Sequence, residues 1–231
     1  MKLQSALSFL IILFFIFSSC KKDEIFTIEP ASVYIKSSKE MTGGLKVFAG
    51  NGEIKDQSIL NRFIGSDSAW FRYISDNLFP NSNRMDTIRF VDSGNAAIFD
   101  DYRYTDFLIT RQKSDIVLSG KQTLQYTVSG ELFTKTPGYW IMQYKPPVYA
   151  EYLISSTAGR YIFGYDSRKQ FILTSDNGIL KAPWILMITH YKVGYVVYSS
   201  VSNKPDFNFY KSVNTGDTVV LQQYSVIYKR Y

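Results

Sequence analysis

Along most of this chain apolar residues recur at every second position, the period of a strand with one buried and one wet face. Leu124, Tyr126, Val128, Gly130 and Leu132 form the longest clean alternation, with Gln125, Thr127, Ser129 and Glu131 opposite. Gly130 within it predicts a bend or bulge. Shorter runs of the same period fall at 45–48, 88–90, 97–99 and 105–109. Residues 25–28 and 33–35 read as short strands interrupted by Pro30, and 116–118 as one ending at Ser119-Gly120. Residues 139–144 and 148–154 flank Pro146-Pro147, which donates no ladder bonds and marks an edge or loop. Strands are expected at 161–165 and 171–173, joined across Asp166-Ser167-Arg168, and at 195–198, 207–210 and 219–228. Asp176-Asn177-Gly178 predicts a hairpin, because Asn-Gly accepts the positive φ angles of a type I′ turn. Residues 184–188 are continuously apolar, which predicts a central strand covered on both faces.

One stretch, about 56–79, has helical spacing instead. Asp56 caps a helix bearing Ile59, Leu60, Phe63 and Ile64, and Gly65 is expected to stop it. Ser66 or Asp67 then caps a second short helix carrying Trp70, Phe71, Tyr73, Ile74 and Leu78. Trp70 and Tyr73 are expected to plug a sheet rather than to form a lid over a ligand. Ten or more strands with tight turns predict a mainly β fold, an antiparallel lipocalin-like barrel or a two-sheet sandwich with one short helical segment. The meander of local hairpins favours the barrel.

The N-terminal residues obey neither period. Lys2 precedes an apolar run from Ala6 to Phe17 broken only by Ser8, then Ser18-Ser19-Cys20 and the polar Lys21-Lys22-Asp23-Glu24. A charged start, a short apolar middle and a small-residue exit describe a secretory signal peptide. The run is shorter than the roughly 20 apolar residues of a membrane span. Residues 17–20 resemble the lipobox of bacterial lipoproteins, with Phe17 where that family prefers Leu. The resemblance implies a signal peptide at 1–19, a lipidated tether at 20–24 and a single all-β domain at 25–231. It also implies thioether-linked lipid on Cys20 and anchorage to the outer membrane, with Asp23-Glu24 similar to a surface-export tether. The plainer alternative is a cleaved signal followed by a free thiol, an odd cysteine that would itself need a reason.

Composition then narrows the function. Net charge is +6, or +5 once Lys2 is removed, and no cluster of five Lys or Arg exists, so nucleic acid has little support as a partner. Cys20 is the single cysteine and His190 the single histidine, which excludes disulfides within the chain, cysteine metal sites and two-His zinc sites. No cofactor motif is present. All 18 tyrosines follow Cys20, and Tyr suits both half-wet strands and binding surfaces.

A Ser–His–Asp relay could use only His190, which follows the apolar run 184–188 and reads as a strand-end residue; no G-x-S-x-G elbow occurs. Asp100-Asp101 with Asp106 is the densest carboxylate group, but adjacent strand residues face opposite ways. The strongest recognition candidates are Trp140, Tyr144 and Tyr149, with Tyr152, gathered around Pro146-Pro147 to stack on an apolar or glycan ligand. Sheet packing is the competing reading of these rings. Tyr224, Val226, Tyr228 and Tyr231 resemble the aromatic last strand of outer-membrane barrels, against which Lys229-Arg230 and the lipobox both count. The sequence thus favours a non-enzymatic binding or structural lipoprotein. A carboxylate-dependent hydrolase or glycan-processing enzyme, and an accessory subunit of a surface assembly, are the alternatives.

Overall fold

A computed structural model describes residues 27–78, 87–100 and 103–231. The anchor segment with Cys20, Ile25 and Phe26 of the first expected strand, and Asp101 lie outside the described residues. In chain order the first elements are β1 (Val33–Met41), β2 (Lys46–Ala49), β3 (Gly52–Ile54), α1 (Gln57–Leu78), β4 (Thr87–Phe90), β5 (Asn95–Asp100), β6 (Arg103–Gln112) and β7 (Asp115–Ser129). They are followed by α2 (Pro137–Ile141), β8 (Val148–Thr157), β9 (Arg160–Asp176), β10 (Ile179–His190), β11 (Tyr195–Val201) and β12 (Thr218–Arg230). Short 3₁₀ turns span Phe133–Lys135 and Phe207–Ser212.

Eight of the strands close a barrel in the order β1-β4-β5-β6-β7-β9-β10-β12, with β12 returning to β1 through pairs such as Tyr34 with Arg230. Every pairing is antiparallel and ring neighbours follow one another along the chain, so this is the expected up-and-down barrel rather than the sandwich. Period-two alternation sends one side chain in two to the interior. Tyr34, Ile88, Phe107, Leu118, Phe171 and Tyr228 meet there with their neighbours in one cluster whose members are at most 7% exposed. Such close filling is usual for barrels of eight strands. Tyr34 and Phe90 contribute an edge-to-face ring pair at 5.7 Å.

β10 and β12 are longer than the barrel is tall. Beyond it they stay paired, from Leu180 with Tyr228 up to His190 with Thr218, and each changes its other neighbour. β10 leaves β9 after Lys181 and takes β11 from Trp184; β12 leaves β1 after Tyr224 and takes β2 from Leu221. Pro183 stands at the first fork, where its missing N–H costs no ladder bond, and its carbonyl accepts from Asn203 N at 2.7 Å. Gln222 stands at the second, donating to Gly43 O at 3.1 Å. The upper sheet β11-β10-β12-β2-β3 is covered on both sides. Trp184, Leu186, Ile188 and Val220 pack with Phe71 of α1, whereas Ile185, Met187, Val219 and Leu221 pack with Ile141 of α2 and Phe209. The apolar run 184–188 is therefore the two-sided central strand that its sequence predicts.

Other expectations are corrected. The two short helices are one, since Gly65 costs only about 1 kcal/mol in a helix interior and the apolar stripe continues through it. Leu60, Phe63, Trp70 and Phe71 all face the sheet, so the Trp70 plug is as expected, and Asp67 is an inner-face residue instead of a cap. Asp56 does cap, accepting from Ser58 N at 2.8 Å and Ser58 Oγ at 2.6 Å, bonds that hold its carboxyl below the usual range. The expected breaks at Ser119-Gly120 and at Asp166-Ser167-Arg168 are interior to β7 and β9. There β7 bulges against β9 between Ser119 and Thr123, and a Cβ on Gly120 would come within 3.3 Å of Lys169 O. Residues 139–144 are not a strand, because Pro137 starts a short helix at its first turn. Residues 207–210 are a 3₁₀ turn capped by Asp206, whose side chain accepts from Asn208 N. The Asn177-Gly178 hairpin forms, with φ of 49° and 76°.

The 124–128 alternation also has the orientation expected, but Leu124, Tyr126 and Val128 are only half-buried. They lie past the bulge, where β7, β9 and β8 continue out of the barrel as a three-stranded ribbon. Urea denaturation should show Leu118→Ala losing about 2–5 kcal/mol, the cost of a cavity in a filled core. Val128→Asp should lose about 1 kcal/mol, since its carboxylate reaches water from the ribbon.

Candidate functional site

At the foot of the ribbon a cleft of about 180 Å³ opens between the middle of β9, the 133–146 segment and β11. Its floor is aromatic. Tyr126 and Tyr165 are a directly opposed β7–β9 pair and stack at 5.1 Å, and Phe133 stacks on Tyr165 at 4.0 Å with the rings 10° from parallel. Phe133 is held there because Glu151 on β8 accepts from Thr134 N and Oγ1, each at 3.0 Å. Burial pushes the Tyr165 phenol up to about 12, reinforced by Tyr126, Tyr198 and Glu151. Burial also raises Tyr126.

The polar wall comes from β9 and the loop after β11. Ser167 Oγ donates to Pro147 O at 2.8 Å, fixing the Pro-Pro loop. Asn203 is fully used, accepting from Tyr144 N and Lys204 N and donating to Tyr144 O at 2.7 Å. Arg168 Nε and Gln170 Oε1 are buried atoms without a hydrogen-bond partner, on side chains that leave β9 on the face opposite to Tyr165. On the third side Tyr198 donates to Met142 Sδ at 3.3 Å, and its ring lies so close over Gly138 that a Cβ there would be 2.1 Å away.

The three rings singled out by sequence have three different surroundings. Trp140 is half-buried and stacks on Phe209 at 5.7 Å, within the packing between α2 and the upper sheet. Tyr144 donates its hydroxyl to the buried Asp115 carboxylate, which Lys204 Nζ also meets at 2.6 Å. Burial first and that carboxylate second hold the Tyr144 phenol well above its usual range. Its role is to tie the 144 loop to the barrel. Tyr149 is exposed beside the cleft, with the Arg168 guanidinium 5.4 Å over its ring. Proximity along the chain grouped these rings, but strand face decides which rings meet. The usable signal was Tyr161, Phe163 and Tyr165 at alternate positions, facing the same side as Tyr126.

His190 does end its strand, and its Nε2 lies 2.8 Å from the buried Asp67 carboxylate of α1, with Phe63 beside the ring. The adjacent Thr189 hydroxyl points to the opposite strand face, so it supplies no nucleophile to that imidazole. Asp106 is exposed on β6, and no group of three or more His, Cys, Asp or Glu among the described residues is placed to hold a metal ion.

Fold and site together define an up-and-down barrel with a filled interior and an external aromatic cleft on a projecting ribbon. Comparison of the chain with protein-family models, with curated proteins and with solved structures gives no match.

Thermal melts should separate the sequence candidates: Trp140→Ala should cost about 2 kcal/mol, below the full-burial figure of about 3–5, and Tyr149→Ala close to nothing. Alkaline titration provides a second check. A tyrosine whose folded pKa is raised stabilises the fold below its ordinary pKa of 10.0 and loses that contribution as pH climbs through the folded value. Stability should therefore fall as pH rises from 10 through about 12, and Tyr165→Phe should flatten that fall. Phenolate absorbance against pH, alongside the melts, reads both effects.

Proposed function

We propose that the protein is a lipid-anchored lipoprotein of the outer membrane, carrying its lipid on Cys20 and serving as a non-enzymatic binding module. The observation that carries the binding part is the cleft beside β9, floored by the stacked rings of Tyr126, Tyr165 and Phe133. An open concavity lined mainly by flat apolar faces, with a few polar groups at its edge, is a usual form of recognition site. It gathers no pair of carboxylates for acid–base chemistry. The filled barrel puts ligand capture outside the interior, so the ligand approaches from solvent along the ribbon.

The anchoring part rests on residues 17–24. Two or more acyl chains give stable attachment where one chain gives a marginal one. No helix among the described residues is long and apolar enough to cross a membrane. In a Gram-negative host, Cys20→Ala should abolish incorporation of labelled palmitate and move the protein out of the membrane fraction. Mass spectrometry of the wild-type protein should find a diacylglyceryl-modified Cys20 at the mature N-terminus. An unmodified thiol, or a mature N-terminus at another residue, would refute the lipoprotein reading.

A further inference from the structure

Resting on the lipoprotein reading above, we propose that the lower rim of the barrel docks on the lipid surface, so that the cleft and ribbon point away from it. The rim follows from strand direction. β1, β5, β7 and β10 rise from it while β4, β6, β9 and β12 descend to it. The turns 91–94, 112–114 and 176–178 are thereby gathered with residues 229–231 around one end of the barrel.

The chain enters the barrel at this same end and is pinned there. Ile28 is buried in the barrel cluster, and Ser32 Oγ donates to Glu29 O at 2.6 Å. The Arg230 guanidinium meets Glu29 at 2.5 Å, and Tyr231 N donates to Val33 O at 2.9 Å. Covalent length then limits where the lipid can be. Residues 21–26 are all that separate Cys20 from Thr27, and fully extended this stretch spans at most about 25 Å. β9 runs 17 residues from the ribbon to the rim, and even tilted as barrel strands are it climbs about 40 Å. The tether is too short to let the protein stand on its ribbon.

The rim side chains suit a headgroup layer. Two of its carboxylates are matched by cations, Glu29 by Arg230 and Asp176 by Lys181 at 3.2 Å. A third, Asp92, accepts from Gly94 N at 2.7 Å and from Asn95 Nδ2 at 2.9 Å. Lys113 and Lys229 are exposed on the same rim and outnumber Asp92, which leaves this end positive. Basic residues beside a membrane are drawn to anionic headgroups. Val91, 48% exposed, and Tyr231, 91% exposed, add apolar surface at the same end, and Tyr is favoured at the boundary between membrane and water.

The test uses the full mature lipoprotein inserted into vesicles of phosphatidylethanolamine and phosphatidylglycerol. An acylated Cys20 has no thiol, so one introduced cysteine carries one dye. Ser93→Cys labels the rim, Asp106→Cys the barrel wall and Thr157→Cys the ribbon end, all at exposed positions. A lipid spin-labelled on its headgroup should quench the Ser93 dye about threefold more than either of the others, which stand higher along their strands. Lys113→Glu combined with Lys229→Glu should cut that quenching about twofold at an unchanged melting temperature. Equal quenching at the three positions, or more at Asp106 or Thr157 than at Ser93, would overturn the docking and leave the anchor standing. Quenching at Ser93 untouched by the double substitution would overturn the role of the basic rim. Labelling of the wild-type protein at Cys20 would show a free thiol, and would overturn the anchor and the docking together.

Discussion

Everything in this molecule hangs on the pairing of β10 with β12. Lower down, that ladder is one of the eight seams of the barrel; higher up, it is the centre of the covered sheet. Two cores are thereby made continuous through a single pair of strands, with Ala182 and Val226 in one and Ile185 and Leu221 in the other. The forks at Pro183 and Gln222 permit this. Each relieves the backbone where one neighbour departs and the next has not arrived, by removing a donor in one case and by supplying a side-chain amide in the other.

That arrangement also explains where function is available. The barrel interior and both faces of the upper sheet are occupied by the protein itself. The ribbon of β7, β9 and β8 carries exposed Tyr149, Leu153 and Tyr161, which would be a liability on a protein with no use for them. The bulge opposite Lys169 marks the place where β7 and β9 stop serving the barrel and start serving the ribbon, and the cleft sits against it.

Much of the fold was legible because a barrel wall has a strict period. Ile88 with Phe90, Phe107 with Ile109 and Val226 with Tyr228 alternate, and each pair faces inward as the pattern implies. Breaks were less legible than strands. Gly120 and the polar trio at 166–168 carry turn chemistry, yet the chain runs straight through them as a bulge and as the strand lining the cleft. The 139–144 segment has strand-like residues but no sheet edge to join, and Pro137 sets it into a helix. The site was harder still. The opposition of Tyr126 to Tyr165 depends on a register that one sequence does not reveal, and Asp67 meets His190 across 123 positions of chain.

The closure of the barrel has a kinetic side. The seam joins β1 to β12, so Tyr34 finds Arg230, and Glu29 finds the same guanidinium at 2.5 Å, only after nearly the whole domain has been made. The intervening meander β4 to β7 pairs locally and has no such wait. Contacts of long sequence separation are slow to form, because loop closure precedes any reward. A chain made from its N-terminus would thus carry an open, half-built wall with its apolar face uncovered until β12 arrives. The last strand acts as the clasp that ends this exposure, and a chaperone acting before closure would find its substrate in that wall.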